Sequence, residues 1–152
     1  MKKNFLFFTI ILFFLQHCGF TPIYKGSKNE IYNFYIAEIN GDIDMNNLVD
    51  NNIKKYSNNL SVNTINLKVS TTYKKNILSK NKAGEATSYL IVTGIEFQVL
   101  DFDKQNKFSF QDETKLTNIS NKFELRNYEN TIKNNFISSA IEKLILRIPE
   151  DK

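Results

Sequence analysis

The 152-residue chain contains no tryptophan, one cysteine, one histidine, two prolines and five glycines. A single cysteine excludes any disulfide within the chain. With one histidine beside it, a structural Cys/His zinc site of four ligands cannot be assembled. Lys, Asn and Ile are used heavily and the Asn residues are scattered, a bias of coding rather than of chemistry. No apolar run reaches the roughly 20 residues that a bilayer-crossing helix needs. No repeat or low-complexity segment interrupts the chain. Apolar residues at 41% and charged residues at 24% are ordinary for a folded domain.

The formal charge is +4. Without Lys2 and Lys3 the 20 basic residues become 18 against 16 acids, a charge of about +2. Nucleic-acid binding concentrates basic residues on one face, and so small an excess argues against it.

The lone cysteine and histidine stand together. Met1-Lys2-Lys3-Asn4 is a short positive start, followed by FLFFTIILFFL from Phe5 to Leu15. Eleven apolar residues are too few to cross a bilayer but suit the core of a secretory signal. A buried amphipathic helix would need a polar stripe, which this segment lacks. Leu15 lies three residues before Cys18, and Gly19 follows it. This resembles a bacterial lipobox, with the departure that His17 stands where Gly, Ala or Ser is usual. The resemblance implies a signal peptide over 1–17, lipid attachment at Cys18, and a lipidated tether over 18–30. The alternatives are a reduced thiol without a role and an uncleaved anchor. Each buried methylene contributes about 0.8 kcal/mol, so several acyl chains hold a protein firmly. In the lipoprotein pathway an Asp after the Cys retains proteins at the inner membrane. Gly19 therefore points to the outer membrane, with the domain on the periplasmic side.

Cleavage before Cys18 would leave a chain without histidine and with its thiol capped. Ser–His–Asp and Cys–His arrangements are then out of reach. Among the 16 acids no pair stands out by context: Asp101 and Asp103 flank Phe102 in an expected turn, and Asp112-Glu113 reads as a solvated pair. The expectation is a protein that is not an enzyme and that carries neither metal nor cofactor.

Residues 31–152 read as one α+β domain. Pro22 and the polar KGSKN run keep residues 21–30 out of regular structure. IYNFYIAEI (Ile31–Ile39) is rich in β-branched and aromatic residues and reads as a strand closed by Gly41. Asp44 is the expected cap of a helix from Met45, with Met45, Leu48, Val49, Ile53, Tyr56 and Leu60 on one arc. Ile65–Tyr73 alternates, as does Glu85–Asp101. Such alternation marks a sheet with one covered and one wet face, hence antiparallel. FDKQNK (Phe102–Lys107) reads as a hairpin turn. Lys107–Ser120 reads as the partner strand, with blurred alternation near Asp112 predicting a bulge. A last helix is expected over Arg126–Ile148, with Leu125, Tyr128, Ile132, Phe136, Ala140, Ile141, Leu144, Ile145 and Ile148 on its apolar side. Glu129 and Lys133 form an i,i+4 pair, and Pro149 ends the helix. The expected fold is a two-layer sandwich: a mainly antiparallel four-stranded sheet with two helices on one face, in the order β-α-β-β-β-α.

The start CGFTPIY (Cys18–Tyr24) resembles the CGF-x-PLY start of the lipopolysaccharide-assembly lipoproteins, the LptE family, of alphaproteobacteria, with Ile23 in place of Leu. GEATSYLIVTGIEFQVLD (Gly84–Asp101) is similar to that family's A-x-Y-x-hydrophobic strand. YENTIKNNFISSAIEKLILRI (Tyr128–Ile148) is similar to its terminal helix. The resemblance implies an outer-membrane lipoprotein that fills the lumen of an LptD-type β-barrel, helps it assemble, and contacts lipopolysaccharide. A rigid plug suits a barrel too wide to close on its own side chains. Lipopolysaccharide is phosphorylated, and Lys74, Lys75, Lys80 and Lys82 in YKKNILSKNKAGE are point charges fitted to phosphate. These lysines read equally as ordinary solvated ones. Ile77 and Leu78 among them point either to an apolar contact or to a second strand that continues into a long hairpin. The other functional reading is a periplasm-facing lipoprotein of unrelated role, such as a small-lipid carrier.

Overall fold

The computed structural model describes residues 32–57, 63–100 and 106–148, and residues 31–152 form one compact unit. The elements are β1 (Asn33–Gly41), α1 (Ile43–Ile53), β2 (Thr64–Lys80), β3 (Ala86–Val99), β4 (Asn106–Thr117) and α2 (Lys122–Arg147). The order β-α-β-β-β-α is the one expected. The sheet order is β1-β2-β3-β4. β2, β3 and β4 form an antiparallel meander, and β1 joins β2 in parallel across the α1 connection.

One sheet face is covered by both helices. Ile65, Leu67 and Val69 of β2, Ile95, Phe97 and Val99 of β3 and Phe108 of β4 are buried there. Against them lie Met45, Val49 and Ile53 of α1 and Ile137, Ile141, Leu144 and Ile148 of α2. Phe97 is wholly buried and meets Phe110 edge-on, with centroids 6.3 Å apart. The other face is polar and open. On it Lys68 pairs with Glu38 at 2.9 Å, and Lys107 with Glu96 at 3.2 Å. Hydrogen bonds from Lys68 and Asn40 hold the Glu38 carboxyl below its usual range.

Several boundaries differ from expectation. The cap of α1 is Asp42, not Asp44: its Oδ1 accepts from Met45 N at 2.9 Å, and the helix starts at Ile43. β1 stops at Gly41, whose φ of +114° few side chains tolerate. A Cβ there would lie 1.9 Å from the Thr71 carbonyl oxygen, so the chain leaves the sheet where only glycine fits. Tyr56 follows the helix in a turn, and Leu60 lies outside the described residues. α2 starts a turn earlier than expected. Asn121 caps it by accepting from Phe123 N and Glu124 N, and its side chain meets that of Glu124. Asn121 and Glu124 at this spacing form a capping-box variant.

No bulge occurs at Asp112. β3–β4 pairing runs unbroken from Ser88↔Thr117 to Val99↔Asn106. The blurred alternation arises because Gln111, Asp112 and Glu113 on an outer strand are all exposed. Register shifts fall instead at Ile36/Glu38 in β1 and at Ile77/Ser79 and Ser79/Lys80 in β2. β4 opens at Asn106, one residue before the expected Lys107, and ends at Thr117 rather than Ser120, whereas residues 101–105 lie outside the described set. So do Cys18 with its signal and tether, and Pro149. Among the described residues no helix is long and apolar enough to cross a membrane.

Candidate functional site

The last β1–β2 pair is Gly41↔Thr71, yet β2 continues to Lys80. From Thr72 onward β2 has β3 on one side and no described strand on the other. The β2–β3 hairpin therefore projects past β1, and it is the long hairpin that Ile77 and Leu78 pointed to. Its Asn81–Glu85 turn is tied locally. Asn81 Oδ1 accepts from Ala83 N and Glu85 N at 3.0 and 2.9 Å, and Asn81 Nδ2 donates to Glu85 Oε2 at 2.8 Å. Gly84 supplies the left-handed conformation. Ser79 Oγ lies 2.6 Å from both Thr87 Oγ1 and Ser88 Oγ.

This geometry separates the four candidate lysines. Lys74, Lys75 and Lys80 lie on the strand and Lys82 in the turn. Six residues of strand put Lys74 and Lys80 about 20 Å apart. Lys75 is engaged: its Nζ is 2.5 Å from Glu129 Oε1 and 4.2 Å from the Tyr89 ring centroid. Lys74, Lys80 and Lys82 are exposed, without an ion pair among the described residues. Ile77 and Leu78 are about half exposed beside them.

Below the hairpin runs a polar seam that the sequence analysis missed. Glu129 does not pair with Lys133 as expected; it takes Lys75 and accepts from the Tyr73 hydroxyl at 2.8 Å. Lys133 is buried, 4% exposed. Its Nζ sits 2.9 Å from Asp44 Oδ2, 3.7 Å from Asp42 Oδ1 and 4.1 Å above the Tyr73 ring. Burial first, and then the bond to Glu129, push the Tyr73 phenol upward, so it stays neutral and donates. Thr71 Oγ1 donates to Asn46 Oδ1 at 2.6 Å, closing the seam onto α1. A signal existed: positions 133, 137, 141, 144 and 148 form one helical arc, and a lysine on the most buried arc demands a partner. Tyr128, expected on the apolar side, is exposed, whereas Ile137, not expected there, is wholly buried.

A third feature lies on the other flank. A half-open groove of about 620 Å³ separates β4 from α2. Its walls include Phe110, Ile132, Phe136 and Ala140, with Ser139 and Lys143 on the helix side. Arg147 lies 5.2 Å above the Phe110 ring at the same end as Lys143. The described residues hold no group of three or more acidic, His or Cys side chains placed to take a metal ion.

No protein-family model and no curated protein matches the sequence. Solved structures match in fold. Rare lipoprotein B from Shewanella oneidensis superposes with a TM-score of 0.53 at 12% identity, over 74% of this chain and 94% of that one. An uncharacterized lipoprotein B from Nitrosomonas europaea gives 0.49 at 12% identity, over 80% and 88%. A minor lipoprotein from Acinetobacter baumannii gives 0.48 at 12% identity, over 78% and 93%. At such identity the first likeness establishes a shared fold: this chain has the β-α-β-β-β-α fold of rare lipoprotein B.

Proposed function

We propose that the protein is a lipid-anchored outer-membrane component that plugs an LptD-type β-barrel, assists its assembly and takes part in placing lipopolysaccharide at the cell surface. The observation that carries this reading is a lipobox-like Leu15–Cys18–Gly19 ahead of a domain with the fold of a rare lipoprotein B. Physical features support it. The open face of the sheet is polar, as suits a wet barrel lumen. The chain enters the domain beside Asn33, which pairs with Thr64 at the opposite end of β2 from Lys80. Sixteen steps of strand separate those ends by about 53 Å, more than the roughly 30 Å hydrocarbon thickness of a bilayer. A plug of that length, set along the barrel axis, has its hairpin at the level of the outer leaflet. There the exposed Lys74, Lys80 and Lys82 meet phosphate, while Lys75 stays with Glu129. The protein performs no catalysis and needs no cofactor. A lipid carrier needs an enclosed apolar cavity; here large side chains fill the core between α1, α2 and the middle of the sheet, and the β4–α2 groove is open and mostly polar in lining.

Depletion in the native host tests the reading: surface lipopolysaccharide falls and the barrel misassembles, and a normal envelope would overturn it. In Cys18→Ala, mass spectrometry of the purified protein finds the acyl mass gone and fractionation finds the chain released from membranes. Lys80→Ala with Lys82→Ala weakens lipopolysaccharide binding in vitro several-fold, each lost exposed phosphate contact costing about 0.2–1 kcal/mol. Unchanged affinity removes these lysines from the site.

A further inference from the structure

α2 is one helix of 26 residues with two unlike halves. From Lys133 onward it buries a continuous stripe of Lys133, Phe136, Ile137, Ala140, Ile141 and Leu144. Over Lys122–Thr131 every residue is exposed except Leu125 and Glu129, which are half-buried. The sheet beneath is divided at the same place. Tyr73, Thr93 and Asp112 stand side by side across β2, β3 and β4, a polar row. The main core lies on one side of that row. On the other side Ile91 is wholly buried and Leu116 nearly so, yet neither belongs to the main core. α1 meets β1, β2 and α2 but neither β3 nor β4, so the first half of α2 is the described element that covers Ile91 and Leu116.

Little holds that half down. Glu129 accepts from the Tyr73 hydroxyl at 2.8 Å and pairs with Lys75 at 2.5 Å. Lys75 in turn lies over the ring of Tyr89, the strand partner of Leu116. Glu129 is thereby the polar link between helix and floor. The stretch around it is weak as a helix. Asn127, Asn130, Thr131, Asn134 and Asn135 all have low helix propensity. Thr131 Oγ1 donates back to the Asn127 carbonyl at 2.9 Å, a bond that loosens helices. Asn130 and Thr131 are also favoured amino-terminal caps, so a helix shortened to begin at Ile132 has its cap built in.

We propose that Lys122–Asn130 is a strap that lifts and recloses as a unit over Ile91 and Leu116, with Glu129 as its latch and Thr131 as the cap of the helix that remains. Closed, α2 is continuous, as in this structure. Open, Leu125 and Glu129 leave the sheet, and Ile91 and Leu116 are uncovered at the root of the β2–β3 hairpin. Lys75 and Glu129 regain water when they part. Lys133 keeps Asp44 and stays in place, as do Phe136 and the buried residues after it. The device belongs to the chain by itself and is independent of the barrel-plug reading.

Amide hydrogen exchange on the full chain in detergent tests it. Amides from Arg126 to Ile132 share one level of protection. With Thr131 as cap, the first amide still bonded in the open form is that of Asn135, so protection rises by about a hundredfold there in one step. Fraying would instead raise it residue by residue from Asn121 inward. Glu129→Gln keeps the size and removes the charge. Strap amides then exchange about tenfold faster, as the loss of hydrogen bonds to a charged group implies. Amides from Ile137 to Leu144 keep their rates, which also verifies the fold. Lys75→Met and Tyr73→Phe each remove one part of the latch and give smaller accelerations in the same amides. Leu116→Cys reports the uncovering: its alkylation, read on that peptide by mass spectrometry, accelerates with the strap amides when Glu129→Gln is added. A smooth gradient or uniform protection along α2, a Glu129→Gln effect absent or equal in both halves, or alkylation at position 116 that ignores Glu129→Gln overturns the proposal.

Discussion

Gly41→Ala loses about 3 kcal/mol or more of stability, seen as an early midpoint in urea denaturation. Two costs combine. A non-glycine residue held at positive φ stores about 1–3 kcal/mol, and Gly41 sits at +114°. The new Cβ also falls 1.9 Å from the Thr71 carbonyl oxygen and 2.8 Å from Thr71 Oγ1. The first of these atoms is backbone in the middle of β2 and cannot swing aside. Relief requires the end of β1 to lift from β2, which also disturbs the Thr71–Asn46 hydrogen bond and the Asp42 cap beyond it. Gly84→Ala separates the two costs. Gly84 also has positive φ, at +84°, but a Cβ there meets nothing within 4 Å. Its loss is about 1 kcal/mol, the conformational part alone. Equal losses at the two positions would show that the close approach at Thr71 relaxes freely.

Asp42→Asn combined with Asp44→Asn strands the Lys133 ammonium. Removing the partners of a buried ion costs about 3–5 kcal/mol. The lower end applies, because the Asp44 side chain is 69% exposed. Asn at position 42 keeps the cap, so helix fraying does not confuse the measurement. Adding Lys133→Met to the pair restores most of the loss: the thioether fills the space beside the Tyr73 ring and no charge is left uncompensated. Denaturation midpoints of the single, double and triple variants give the coupling directly. A triple variant as unstable as the double would mean that the loss came from α1 and not from the ammonium. The contribution of the seam lies in specificity as much as in strength: it ties α1, α2 and β2 together where β1 has ended and β3 is the one described strand that still flanks β2.

The layout of the fold was legible because one-sided burial writes a period of two. Ile65, Leu67, Val69 and Thr71 alternate since α1 and α2 cover one face. Past Tyr73 the pattern dissolves. Almost every residue from Lys74 to Lys80 is exposed, so nothing in the chemistry of the side chains marks inside from outside. The strand continues there because β3 pairs with it, and pairing leaves no trace in hydropathy. The supposed bulge at Asp112 has the same origin, an outer strand exposed on both sides. The Asp42 cap was hidden by a competitor two residues on, since Asp44 faced an equally plausible arc. Lys133 was misassigned because the i,i+4 rule offered it Glu129 on its own helix, whereas tertiary packing offered Asp44 from another element. The β4–α2 groove could not be read at all. It depends on which strand ends the sheet and on small residues at a helix position that looks apolar in sequence. The lysine candidates had the opposite fate: adjacent in sequence, they are spread along a strand.

The described domain begins at Tyr32 and finishes at Ile148, and both lie toward the same pole of the sheet, Tyr32 beside the first β1–β2 pair and Ile148 one residue beyond the Arg147 that covers Phe110. Among the described residues the opposite pole carries the link from β4 to α2, whose Asn118 bonds to Ala86 and Thr87, and the self-tied Asn81–Glu85 turn. That turn is consequently the natural seam for a circular permutation, or for splicing in a reporter, because new ends opened there do not interrupt the core.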